Sequence, residues 1–214
     1  MEDSKKIKIF TRKDFAIGTI IAIVMAITFS MVSRGITLLV TFLPGIVFVW
    51  FSSIWIYKSG KPLPEAKKFI PLYFLALSVQ FLHFAEEFTM GFATQFSLLY
   101  GAEPYSSSLF VVINMCSYFV FTIACILMFY KNLNFLLVPV MFFITYGVMA
   151  NAIAHTFWSV YLGSYFPGLI TAQLYWILGP LLIYKIFNNR KETIIFISSF
   201  AIVLIGILTF FSQQ

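Results

Sequence analysis

The sequence predicts an all-α bundle of membrane-spanning helices, and three observations carry that prediction. The chain is 61% hydrophobic and only 10% charged over 214 residues, whereas soluble domains carry about 25% charged residues. Its apolar residues fall in unbroken runs of about 20, the length an α-helix needs to cross the hydrocarbon. Its basic residues gather between alternate runs. Runs of this kind exclude a β-barrel, whose strands alternate apolar and polar side chains.

Seven runs qualify as spans: Phe15–Val32, Ile36–Tyr57, Phe69–Phe92, Leu109–Tyr130, Phe135–Val160, Gly168–Phe187 and Thr193–Phe211. The first follows a basic tail, as a signal peptide would. It is long enough to span, however, and no Ala-x-Ala cleavage site follows it, so it is read as a retained helix. Ser33-Arg34-Gly35 makes a tight turn into the second span, and Ser59-Gly60-Lys61-Pro62-Leu63-Pro64 is a loop rich in helix breakers. Pro71, Pro139 and Pro167 fall near helix starts, where a missing N–H does little harm. Pro44-Gly45 and Pro180 lie inside spans and predict kinks. Residues 1–14 form a basic tail, and 15–214 form one seven-helix domain.

The net charge of +6 reports topology. With seven spans, Arg34 alone of the 14 Lys and Arg lies away from the side that carries the tail. The positive-inside rule then places the N-terminus in the cytoplasm and the C-terminus outside, in a plasma membrane. The same distribution argues for contact with anionic lipid and against nucleic acid. Cys116 and Cys125, nine residues apart in one span, face opposite sides of a helix about 13 Å apart. They are packing residues rather than a disulfide.

Of the eight acidic residues, Glu86 and Glu87 lie inside a span, and so do both histidines, His83 and His155. Ionisable groups in hydrocarbon cost several kcal/mol (about 3 on insertion scales) unless they face the protein interior and find partners. His83, Glu86 and Glu87 are spaced i, i+3, i+4 and share one helix face; Asn151 and His155 are spaced i, i+4 and share another. Both groups fall in the outer halves of their spans, the third and the fifth. Gln173 and Asn114 follow at similar depth on the sixth and fourth.

Two histidines and a carboxylate form a catalytic zinc set that leaves one position for water. His83, Glu87 and His155 are the candidate ligands. Glu86 is then free to act as general base, and Asn151 can orient His155 or polarise a substrate carbonyl. In this reading Glu86→Gln keeps the metal and loses turnover. The run His83-Phe84-Ala85-Glu86-Glu87 has the spacing of the inverted zinc-protease motif, with Glu where that motif ends in His. The depth of the cluster points to a lipid or lipid-like substrate, and the function read is a metal-dependent hydrolase.

Two alternatives remain open at this stage. One is a proton- or cation-coupled transporter or ion-binding protein, since relay chains use these residue types. The other is a structural His–Glu network, against which two adjacent acids repel unless neutralised. Bis-histidine haem ligation fits the neighbouring carboxylates poorly. Trp158 and Trp176 are read as core or interface anchors, and Ser198 and Ser199 as helix–helix contacts.

The chain resembles the HXXEE-domain integral membrane proteins of bacteria. The naming motif matches His83-Phe84-Ala85-Glu86-Glu87. An N-x-x-x-H motif matches Asn151–His155, and a Y-x-P-G motif matches Tyr165-Phe166-Pro167-Gly168. The resemblance covers about residues 69–184 and leaves out the first two spans. It supports the site residues and implies no reaction.

Overall fold

The computed structural model describes residues 8–212, so Lys5 and Lys6 of the basic tail lie outside the described residues. Among those described, the regular structure is helical, apart from one isolated antiparallel bridge between Ile9 and Pro62. Helices α1 (Arg12–Val32), α2 (Thr37–Ser59) and α3 (Ala66–Thr89) are followed by a short α4 (Phe92–Leu99). Then come α5 (Ser107–Tyr130), α6 (Asn134–Leu162), α7 (Leu169–Ala172), α8 (Tyr175–Phe187) and α9 (Arg190–Phe211). Six of them, α1, α2, α3, α5, α6 and α9, are long and apolar enough to cross a membrane.

Local chemistry sets several boundaries. Thr11 and Asp14 form a reciprocal capping box at the start of α1, satisfying two amides that no helical carbonyl can reach. Ser106 caps α5 and Asn189 caps α9 through their side chains. Gly60 ends α2 in the left-handed conformation. The turn between α1 and α2 is held from a distance. The Tyr105 hydroxyl accepts a hydrogen bond from the Arg34 amide at 2.9 Å and stands 2.7 Å from the Thr37 hydroxyl. At the opposite, lysine-rich end, Lys61 pairs with Glu192.

Three features depart from the sequence reading. α3 begins before Phe69, which leaves Pro71 inside it rather than at its start. The loop expected after the third span contains α4, set off by Gly91 at φ 78°. The expected sixth span is divided: α7 ends at Ala172, and α8 runs only 13 residues from Tyr175. Three-residue hydrogen bonds such as Leu174 N–H to Thr171 O and Trp176 N–H to Gln173 O bridge the break, as at a tightened turn.

α6 is the axis of the bundle, since 78% of its most apolar stretch is buried against 17% for α1. Phe143–Ala150 within it is π-helical. The wider turn takes up an extra residue, which rotates the remainder of α6 by about 100° relative to an unbroken α-helix. Asn151 and His155 lie directly after it. Tyr146 of this segment packs on Phe42 of α2 at a ring-centroid distance of 3.8 Å. α8 approaches the same segment closely: a Cβ on Gly179 would stand 2.9 Å from Met149 Sδ.

Candidate metal centre

His83 and Glu87 project from α3, one helical turn apart, and His155 projects from α6. All three are buried, at 0%, 6% and 1% exposure, so the third and fifth spans of the sequence reading meet. Glu87 Oε1 stands 3.4 Å from His83 Nε2 and 3.3 Å from His155 Nε2. A tetrahedral zinc ion with bonds of about 2.0–2.1 Å has ligand–ligand edges of about 3.3–3.4 Å. One ligand atom from each of the three residues falls within 4.8 Å of the others. The imidazole rings meet edge to face at 4.7 Å. His83 Nε2 and His155 Nδ1 have no hydrogen-bond partner among the described residues, an expensive condition for buried polar atoms. The residues present therefore fit a divalent ion.

Aromatic side chains wall the cluster. Phe92 of α4, Trp158 of α6 and Phe166 lie with ring centroids 5.3, 5.2 and 6.2 Å from that of His155. Tyr175 lies 5.6 Å from His83. Trp158 is thus a wall of the site, its indole N–H donating to the Tyr100 hydroxyl at 2.9 Å. Trp176 is 41% exposed on the outside of the bundle.

A strap made of Tyr165–Gly168 and α7 closes over the histidines. Gly168 has φ +93°, and a Cβ there would fall 2.5 Å from His155 Cε1 and 2.9 Å from His83 Cε1. Only glycine fits such a position. Glu86 fastens this strap. Its Oε1 accepts from the Tyr165 hydroxyl at 2.7 Å and the Ile170 amide at 3.0 Å. Its Oε2 accepts from the Thr171 amide at 2.8 Å and the Thr171 hydroxyl at 2.5 Å. Thr171 Oγ1 also stands 2.8 Å from His83 Nδ1. Both carboxylate oxygens are engaged, so the structure does not present Glu86 as the free base expected from the sequence. Burial of Tyr165 and the neighbouring Glu86 carboxylate push the Tyr165 phenol up to about 12, which keeps it a donor.

Glu87 also borders a small cavity inside the bundle, of about 70 Å³. Asn151 lines it as well, its Nδ2 donating to the Gly147 carbonyl at 3.1 Å. No hydrogen bond joins Asn151 to His155 among the described residues. A polar layer crosses the bundle beside the cavity. The Tyr175 hydroxyl donates to Gln80 Oε1 at 2.6 Å, Gln80 Nε2 donates to the Tyr118 hydroxyl at 3.0 Å, and that hydroxyl donates to Asn114 Oδ1 at 2.9 Å. Gln173 lies outside the cluster, bonded to Thr156 and the Leu169 carbonyl. Cys116 is exposed and Cys125 buried, both as free thiols.

Sequence reasoning missed Thr171, Phe92 and the partners Gln80, Tyr118 and Tyr175. The i, i+3 spacing of Gln80 and His83 was the one available signal. Thr171 becomes part of the site only because α7 folds back onto α3.

A multi-pass helical membrane protein with a buried His–Glu cluster under an aromatic strap is the class that this fold and site define. The chain belongs to the family described as proteins of unknown function with an HXXEE motif, which matches residues 74–184, just over half of its length. No curated protein and no solved structure matches it.

Proposed function

We propose that this protein is a metal-dependent membrane enzyme that hydrolyses a lipid or lipid-like substrate. The observation that carries the reading is the pair of 3.3 and 3.4 Å separations between one Glu87 oxygen and the two histidine Nε2 atoms. His83, Glu87 and His155 hold the ion, most naturally zinc given two imidazoles and a carboxylate. The ion supplies Lewis acidity and a water made nucleophilic near neutral pH. Asn151 offers an amide to a substrate carbonyl in the cavity that Glu87 borders. Apolar cavity residues such as Phe42, Ile113, Phe121 and Leu204 suit a hydrocarbon chain. Glu86 holds the strap in this reading.

The topology belongs to the same proposal. The chain crosses a plasma membrane seven times, α7 and α8 together making the sixth passage. The N-terminus is cytoplasmic, and the site lies in the outer-leaflet half. Support comes from the basic residues, of which, among the described residues, only Arg34 sits at the end opposite Lys58, Lys61, Lys131 and Lys185. A one-sided site suits an enzyme better than a transporter. The polar layer runs across the bundle, and Phe69, Tyr73 and Phe143 fill the core beyond Gln80 at 0% exposure.

Metal analysis of detergent-purified protein tests the proposal. Near-stoichiometric zinc, iron or manganese is expected, lost from a folded His83→Ala, His155→Ala double variant. Wild-type protein that stays metal-free after incubation with zinc would sink the reading in favour of a structural network.

A further inference from the structure

The hydrogens of the strap determine which nitrogen of His83 is available to a cation. Thr171 has a single hydroxyl hydrogen. Its oxygen lies between Glu86 Oε2 at 2.5 Å and His83 Nδ1 at 2.8 Å. Glu86 already accepts from the Tyr165 hydroxyl and from the Ile170 and Thr171 amides. Three further donors match a carboxylate, which has about four acceptor sites, better than a carboxylic acid. An ionised carboxylate cannot donate, so the Thr171 hydrogen goes to Glu86. His83 Nδ1 must then be the donor to Thr171 Oγ1. A neutral imidazole with its proton on Nδ1 carries a lone pair on Nε2. That atom is buried, has no hydrogen-bond partner among the described residues and faces Glu87 Oε1 at 3.4 Å. A lone pair facing a carboxylate oxygen is repulsive unless a cation or a proton lies between them, and a divalent cation satisfies both histidines and the carboxylate at once.

We propose that Glu86 and Thr171 form a positioning pair that fixes His83 as its Nδ1–H tautomer and so presents Nε2 to a divalent cation of the zinc type. The inference rests on the metal reading of the site and adds to it a carboxylate–hydroxyl–imidazole chain reaching the cation from outside. Groups of this kind set ligand orientation and basicity, and their loss costs about 10–100-fold in metal affinity. The same chain ties cation binding to the strap, because Thr171 belongs to α7 and Glu86 to α3.

The two histidines of the chain make the test direct. Full-length protein is labelled with nitrogen-15 histidine, stripped of metal at mildly alkaline pH and studied by ring-nitrogen NMR, with a His155→Gln variant giving the assignment. The expected His83 ring carries its proton on Nδ1 and none on Nε2. A proton on Nε2 with Nδ1 bare overturns the proposal without any change at Thr171. Zinc affinity is then measured by chelator competition for the wild type, Thr171→Val and Thr171→Ser. The valine variant is expected to lose about 10–100-fold and the fixed ring signature, and the serine variant to keep both. A valine variant with unchanged affinity and ring signals also overturns it. Wild-type protein that shows the Nδ1–H ring yet binds no zinc would sink the metal reading while leaving the tautomer assignment in place.

Discussion

Gly168 shows how one residue can decide whether two others form a site. Its positive φ and the 2.5 and 2.9 Å approaches a Cβ would make to His155 and His83 rule out any larger side chain without displacement of an imidazole. Gly168→Ala is expected to lower stability by about 1–3 kcal/mol through overpacking and to weaken zinc binding more than tenfold. Calorimetry and chelator competition check this, and unchanged zinc affinity would mean that the strap does not set the histidine positions. Glu86 can be judged at the same scale. A base at the metal predicts that Glu86→Gln keeps full zinc affinity. An anchor of the strap predicts weakened affinity, and faster amide exchange at Ile170 and Thr171 by about tenfold or more, since hydrogen bonds to a charged group contribute about 1.5–3 kcal/mol. Hydrogen exchange with site resolution separates the two.

At the scale of the element, the break between α7 and α8 is what brings the strap to the site. A continuous sixth helix was the simplest reading of the apolar run from Gly168 to Phe187. The structure instead ends α7 at Ala172, and two of its first amides, those of Ile170 and Thr171, meet Glu86. A carboxylate at those amides is the favourable partner for a helix start. The Tyr165 phenol adds a pH limit to this strap. Its folded value, about 12, lies above the ordinary one of about 10. Its contribution is therefore complete below the ordinary value and lost as pH rises through the folded one. Proteolysis of the strap is expected to stay flat from neutral to mildly alkaline pH, where the phenol remains a donor to Glu86. Tyr165→Phe, which removes that donor, is expected to raise it across the same range. The π-helical stretch of α6 is the second element-scale device, because it sets the direction in which His155 leaves the helix. Its eight residues, Phe143–Ala150, have no sequence feature that separates them from ordinary apolar helix.

For the whole molecule, the six long apolar helices fix a membrane setting, and the charge distribution supplies the proposed orientation. Single cysteines at Arg34 and Lys58, placed in a chain lacking Cys116 and Cys125, test it with an impermeant thiol reagent on intact cells. Arg34→Cys is expected to react and Lys58→Cys to be protected. The opposite pattern would place the site in the inner leaflet and remove the argument for an outer-leaflet substrate.

The sequence by itself determined the helical class, most span limits and the shared face of His83 and Glu87. Those follow from local rules: hydrocarbon thickness, helical period and capping chemistry act within a few turns of one helix. The grouping of His83, Glu87 and His155 was an inference from matching depth until α3 and α6 were seen to meet. Tertiary structure alone decided that Glu86 turns away from the two histidines to hold α7, that Thr171 stands against His83 and that Gly168 covers both rings. The first two depend on the packing of segments 85 and 88 residues apart in the chain, at the Glu86–Thr171 and His83–Thr171 contacts. No local periodicity carries that information, because the energy of such contacts comes from partners that the chain's own spacing does not name.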